Sequence, residues 1–319
     1  MQVTLCSPKQ LLRTILQDTL LCQELFLGKS FSWRSTSHLS SLKSRFQNSK
    51  SLLKRTHKTK LTYLSAVPHQ ICAYADTNVV QVANSLAAHL SICLSDPSSL
   101  QVPGGLAPSL LDHLDIQATP SGYLEFKFDD WAIAHWLTCL TYPVASLFVS
   151  LTPPAHPVTR PRPSLFSIQH AHARCCSLLR LAVQQQIIGL TLQEPSQWQW
   201  TQPNPIDWFT MAQQFRLSRD SERQLISQCF TVLDEFPWQA ETLPENIPSS
   251  SLHLDRITTL AQDLAQAFST LHQQCQIWGA LQTEGSDHLT AHFALILVTQ
   301  RLLYGLLQSG LGVIAPDEL

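Results

Sequence analysis

The stretch L-T-P-P-A-H-P-V-T-R-P-R-P, residues 151–163, decides how this chain is read, because five of its thirteen positions are proline. Each proline locks φ and removes a backbone donor, so the stretch predicts a stiff, extended connector between two folded parts. The residues before it carry both helical and alternating apolar patterns; those beyond it read as helical almost throughout. The expected architecture is an α+β N-terminal domain over residues 1–150, a linker over 151–163, and an all-α helical bundle over 164–319.

On the C-terminal side, a helix is expected from about Ser164 to Ile188, stopping at Gly189. A loop bearing Trp198, Trp200, Pro203, Pro205 and Trp208 comes next. Those tryptophans suit either a plug for the end of a bundle or stacking faces for bases. Further helices are expected over Ser221–Glu235, Leu254–Cys275 and His288–Gln308, the last ending at Ser309-Gly310. In the second of these, Ile257, Leu260, Ala261, Leu264, Phe268 and Leu271 fall on one face. Several amphipathic helices in succession make a bundle.

On the N-terminal side, Ser7, Pro8 and Gln10 form a helix-start signal, and apolar residues recur at helical spacing to Leu27. A basic segment occupies residues 29–60, read as loop plus one basic helix around 40–56. Asp76 is a candidate cap for a helix whose stripe is Val79, Val82, Leu86 and Leu90. Residues 95–109 read as loop. Leu124, Phe126 and Phe128 alternate with Glu125 and Lys127 after the turn Pro120-Ser121-Gly122, the period-two pattern of strands. Asp129 is placed to cap a short helix carrying Trp131, Ile133 and Leu137.

Composition narrows the function classes. The chain has 319 residues, 44% hydrophobic and 14% charged, with a formal net charge of −2. That apolar content excludes a disordered polymer. The longest apolar run, broken by Gln300 and Arg301, falls short of the ~18 residues a bilayer span requires, so a soluble protein with no membrane partner is expected. The nine cysteines include no CxxC pair, which argues against structural zinc and for reduced thiols in a reducing compartment. No charged, cleavable leader is evident, and a cytoplasmic location is expected.

The near-neutral total conceals segregation. Residues 1–62 hold 11 Lys/Arg against 2 Asp/Glu, and the remainder holds 10 against 21. A basic end of this kind points to a polyanion as partner.

Motifs for catalysis are missing. There is no phosphate-binding G-x-x-x-x-G-K-[ST], no G-x-G-x-x-G and no G-x-S-x-G, so no catalytic residue and no cofactor is expected. His288 and His292 have the four-residue spacing of two zinc ligands on a helix. Leu289 stands where an H-E-x-x-H site has its glutamate, so both are read as surface or helix-cap histidines and no metal site is expected.

Residues 166–180, F-S-I-Q-H-A-H-A-R-C-C-S-L-L-R, carry a specific resemblance. Gln169, Ala171, His172, Ala173, Arg174, Ser177 and Leu178 resemble the opening helix of the DALR anticodon-binding domain of arginyl-tRNA synthetases, Q-Y-A-H-A-R-[IC]-x-S-[IL]. The chain end, with Arg301-Leu302-Leu303, Leu307, Gly310-Leu311-Gly312 and Ile314-Ala315-Pro316-Asp317, resembles that domain's closing segment. Asp76-Thr77-Asn78-Val79, and Ile116 to Phe126, resemble the N-terminal tRNA-binding domain of the same enzymes. His170 stands where the family has Tyr, and Leu319 where it often has Met.

The H-I-G-H and K-M-S-K-S signatures of the family's catalytic core are absent, and the proline-rich connector occupies its place. The resemblance therefore implies a non-catalytic relative that binds tRNA, of arginine type, without aminoacylating it. Phosphates would be held by Arg34, Lys43, Arg45, Lys50, Lys54, Arg55, Lys58 and Lys60. The anticodon loop would be held by Gln169, His170, Arg174 and Leu319. Two alternatives remain: a protein-interaction scaffold without RNA binding, and a tRNA-binding subunit that supports arginine–tRNA ligation in trans beside a separate synthetase or other protein chain. His172 and Arg174 could equally satisfy buried carbonyls within the bundle.

Overall fold

The computed structural model describes residues 7–22, 53–56, 60–73, 77–95, 108–142, 163–191, 198–236, 251–275 and 286–318. Among these, a small sheet lies in the N-terminal half and the rest is mostly helical. The chain divides into two compact units between Ile133 and Ala134.

The N-terminal unit begins with α1 (Pro8–Cys22). Ser7 Oγ accepts the Gln10 amide at 3.1 Å, the cap expected from the sequence, and Leu11, Leu12, Ile15 and Leu16 are buried. Four antiparallel strands belong to this unit: β1 (Leu53–Arg55), β2 (Thr62–Ser65), β3 (Leu114–Ala118) and β4 (Leu124–Phe128), in spatial order β1-β2-β4-β3. Tyr63, Phe126 and Ile116 stand opposite one another on the three contiguous strands, and all three are buried. Glu125, on the other face, is joined to Lys127 across 2.7 Å. The alternation read from the sequence thus separates core from solvent.

Two elements differ from the sequence reading. Residues 53–55 form a strand, paired with 63–65, where a basic helix was expected. The pairing partner β2 and the short helix α2 (Val67–Cys72) were not legible in the apolar periodicity. Helix α3 (Val79–Ser95) buries Val82, Leu86 and Leu90 as expected and packs on α2 and β3. Its cap is Asn78, whose Oδ1 accepts the Val80 amide at 2.8 Å; Asp76 lies outside the described residues. Gly122, at φ +81°, turns the chain between β3 and β4, and a Cβ there would meet Val79 side-chain carbons at 2.8 Å.

Helix α4 (Asp130–Leu140) is capped as predicted, with Asp129 Oδ1 accepting the Ala132 amide at 3.0 Å. The division between the units falls inside it. Its later part belongs with the C-terminal unit. The reason is apolar burial. The fully buried Trp136 meets Phe230 edge to face at 5.9 Å, and Trp208 Nε1 donates to Thr138 Oγ1 at 2.7 Å. The proline-rich stretch lies outside the described residues except Pro163, the first residue of the next helix.

The C-terminal unit continues with α5 (Pro163–Gln184), α6 (Asp220–Glu235), α7 (Ser251–Gln274) and α8 (Ser286–Gly305), close to the predicted spans. It is not purely helical, because β5 (Gly189–Leu190) and β6 (Trp200–Gln202) form a two-stranded ribbon. Helix α8 packs on α5, α6 and α7 and is buried along nearly its whole length. The segment Ser286–Gly310 is long and apolar enough to cross a membrane, yet 94% of its apolar window is buried, which makes it the bundle's central helix. A wide π turn, Leu306–Gly310, ends it. There Gly310 permits close approach, since a Cβ would sit 2.8 Å from Ile257 Cγ2 and 2.9 Å from Phe236. Trp198, Trp200 and Trp208 are all buried.

Candidate functional site

The face of α5 singled out by sequence separates into two stripes. Gln169, His172 and Arg180 lie on one side of the helix and hold the chain's closing segment. Gln169 Nε2 donates to the Ile314 carbonyl at 2.9 Å, and His172 Nδ1 reaches the Pro316 carbonyl at 2.7 Å. Arg180 donates to the Asp317 carboxylate at 2.6 Å, to the Asp317 carbonyl at 3.1 Å and to Glu318 at 3.2 Å. The second stripe is Phe166, His170 and Arg174, spaced four apart and exposed. Phe166 is 64% exposed, and its ring centroid lies 6.1 Å from that of His170.

His172 is fully buried, and burial lowers its pKa even though the Pro316 carbonyl and Asp317 favour the charged form. A neutral ring matches the contacts: Nδ1–H donates to Pro316, and Nε2 accepts from Gln300 Nε2 at 2.9 Å. The histidine is therefore a structural tie. Arg174 Nε donates to His272 Nε2 at 3.3 Å. Burial, and then the Arg174 charge, lower the His272 pKa, which keeps that nitrogen an acceptor.

Of the predicted RNA contacts, Lys54 and Lys60 are exposed, and Arg55 is half-buried on β1. Arg34, Lys43, Arg45, Lys50, Lys58 and Leu319 lie outside the described residues. Gln169 is occupied by the closing segment, leaving His170 and Arg174 presented outward on α5. The sequence reading missed Phe166 and the 75% exposed Ile314. The four-residue step from Phe166 to His170 was the signal available for the first.

A second cluster joins α6 to α8. Glu222, in the first turn of α6, and His292 are fully buried, and the His288 side chain is 13% exposed. Glu222 Oε1 lies 3.0 Å from His288 Nε2 and 3.5 Å from His292 Nδ1. Its Oε2 accepts the Arg219 amide at 3.0 Å, closing a capping box. Burial raises the Glu222 pKa, but the bonds from His288 and the Arg219 amide, with the His292 ring close by, outweigh it and set the group at about 2. Burial lowers the pKa of His292 against the pull of Glu222. The expectation of surface or cap histidines thus fails for His292, because its helix face turns into the bundle.

Arg301, which the sequence grouped with the closing motif, is 3% exposed and internal to the bundle. It donates to the carbonyls of Leu140, at 2.7 Å, and of Tyr142 and Trp198. Burial lowers its pKa to about 9, so it stays charged at neutral pH. Cys176 lies 4.0 Å from His172, yet burial pushes its pKa to about 12. No family model matches the chain, no curated protein does, and no solved structure does.

Proposed function

We propose that this chain is a non-catalytic relative of arginyl-tRNA synthetase that binds tRNA through a DALR-type helical domain and a basic N-terminal segment. One observation carries the reading. The two segments that resemble the opening and closing stretches of that domain lie far apart in sequence, and they are tied together through Gln169, His172 and Arg180. The tie leaves the Phe166–His170–Arg174 stripe facing solvent. Aromatic faces beside a guanidinium suit unstacked loop bases and a phosphate. Lys54 and Lys60 supply further cations on the N-terminal unit.

The test is filter binding of the full chain to total tRNA across a salt series. A complex at low micromolar protein whose affinity falls steeply with salt is expected, with a log–log slope of about −0.7 per phosphate engaged. The absence of any salt-dependent complex overturns the reading. A stoichiometric protein partner that survives nuclease treatment would replace it with the scaffold alternative, which the acidic balance beyond residue 62 favours.

A further inference from the structure

We propose that Glu222, His288 and His292 bind one zinc ion between α6 and α8. Each residue offers one donor atom, and the three atoms lie within 4.8 Å of one another. Zinc holds nitrogen and oxygen donors at about 2.0–2.2 Å, which in a tetrahedron puts neighbouring donors roughly 3.3 Å apart. The 3.0 Å and 3.5 Å separations about Glu222 Oε1 bracket that value, and the two imidazole nitrogens, within 4.8 Å of each other, close on an ion by side-chain rotation.

The independent sign of a ligand is His292. It is fully buried, and neither of its ring nitrogens has a hydrogen-bond partner. Glu222 Oε1, at 3.5 Å, is beyond the normal range for such a bond. A buried imidazole without a partner is costly in an apolar bundle, and a metal bond to the lone-pair nitrogen removes that nitrogen's share of the cost. Around it the shell is already arranged. The Arg219 amide fixes the far oxygen of Glu222 and so orients the near one. His288 and His292, one helical turn apart, present their nitrogens to the same carboxylate.

Two imidazoles and a carboxylate select a borderline transition metal over magnesium or calcium, which take oxygen shells. The fourth position falls to water, reaching the site on the side of the partly exposed His288. The ion would clamp the first turn of α6 to the start of α8. The competing account is an ion pair of Glu222 with His288 inside the capping box.

The two are separated by titrating the chelator-stripped full chain with zinc against a chromophoric competitor. One equivalent is expected, together with a higher unfolding temperature. His288→Gln, at the rim of the cluster, should weaken binding by at least about 100-fold, the upper end of what losing an outer-shell partner costs. A readout that does not depend on how that variant folds comes from adding cobalt to the unaltered chain. A four-coordinate cobalt spectrum is expected. Failure to bind one equivalent, equal binding by folded His288→Gln, or the spectrum of hydrated cobalt overturns the proposal.

Discussion

The Nδ1 of His172 lies 2.7 Å from the carbonyl oxygen of Pro316, 144 residues further along the chain. This bond, together with the one from Gln300, leaves both nitrogens of a buried ring satisfied. His172→Ala should therefore strand the Pro316 carbonyl and the Gln300 amide and cost about 1–3 kcal/mol of stability. Urea unfolding checks the magnitude. Faster trimming of the chain end by carboxypeptidase checks that the closing segment has been released.

Arg301 bonds three carbonyls that belong to the end of α4, the residue pair after it and the tryptophan-bearing loop. Arg301→Met leaves those acceptors without a donor inside the bundle, and a loss of about 3 kcal/mol is expected by denaturant titration. Arg301→Lys keeps the charge but not the planar fork, so it should recover only part of the loss. Equal stability of the Met variant and the natural chain would count against the role assigned to Arg301.

Binding to RNA and folding are separable on α5. Phe166→Ala and His170→Ala remove exposed rings, so each should leave the unfolding temperature nearly unchanged. Each should also weaken a tRNA complex by about 1–3 kcal/mol, the range for one base–aromatic stack. Lys54→Ala and Lys60→Ala act differently, flattening the salt slope by about 0.7 for each lysine removed. Filter binding at several salt concentrations distinguishes the two patterns.

Acid should destabilise the C-terminal unit early. The folded pKa of His172 lies below the usual value of 6.5 because burial disfavours its charged form. In the unfolded chain that histidine takes up a proton first, so the unfolded state binds more protons as pH falls below about 6.5. Stability is thus complete above that pH and declines beneath it. Urea midpoints measured with chelator present should drop between neutral and mildly acidic pH in the natural chain. They should drop less in His172→Gln, and an identical drop in both would remove His172 as the cause.

Local chemistry made much of the secondary structure legible. Period-two alternation marked β4, three-to-four spacing marked the helices, and Ser7 and Asp129 announced caps that they form. Those signals act over a few residues, within reach of a single reading. Tertiary structure alone decided which polar side chains serve the fold. Gln169 and Arg174 sit on the same helix with similar sequence credentials, but one is consumed by the Ile314 carbonyl and the other faces outward. Likewise β1 exists because Leu53–Arg55 finds β2, and His292 meets Glu222 only because α8 turns that face towards α6. A hydrogen-bond partner 144 residues away leaves no trace in spacing, because burial and pairing are settled when whole elements pack.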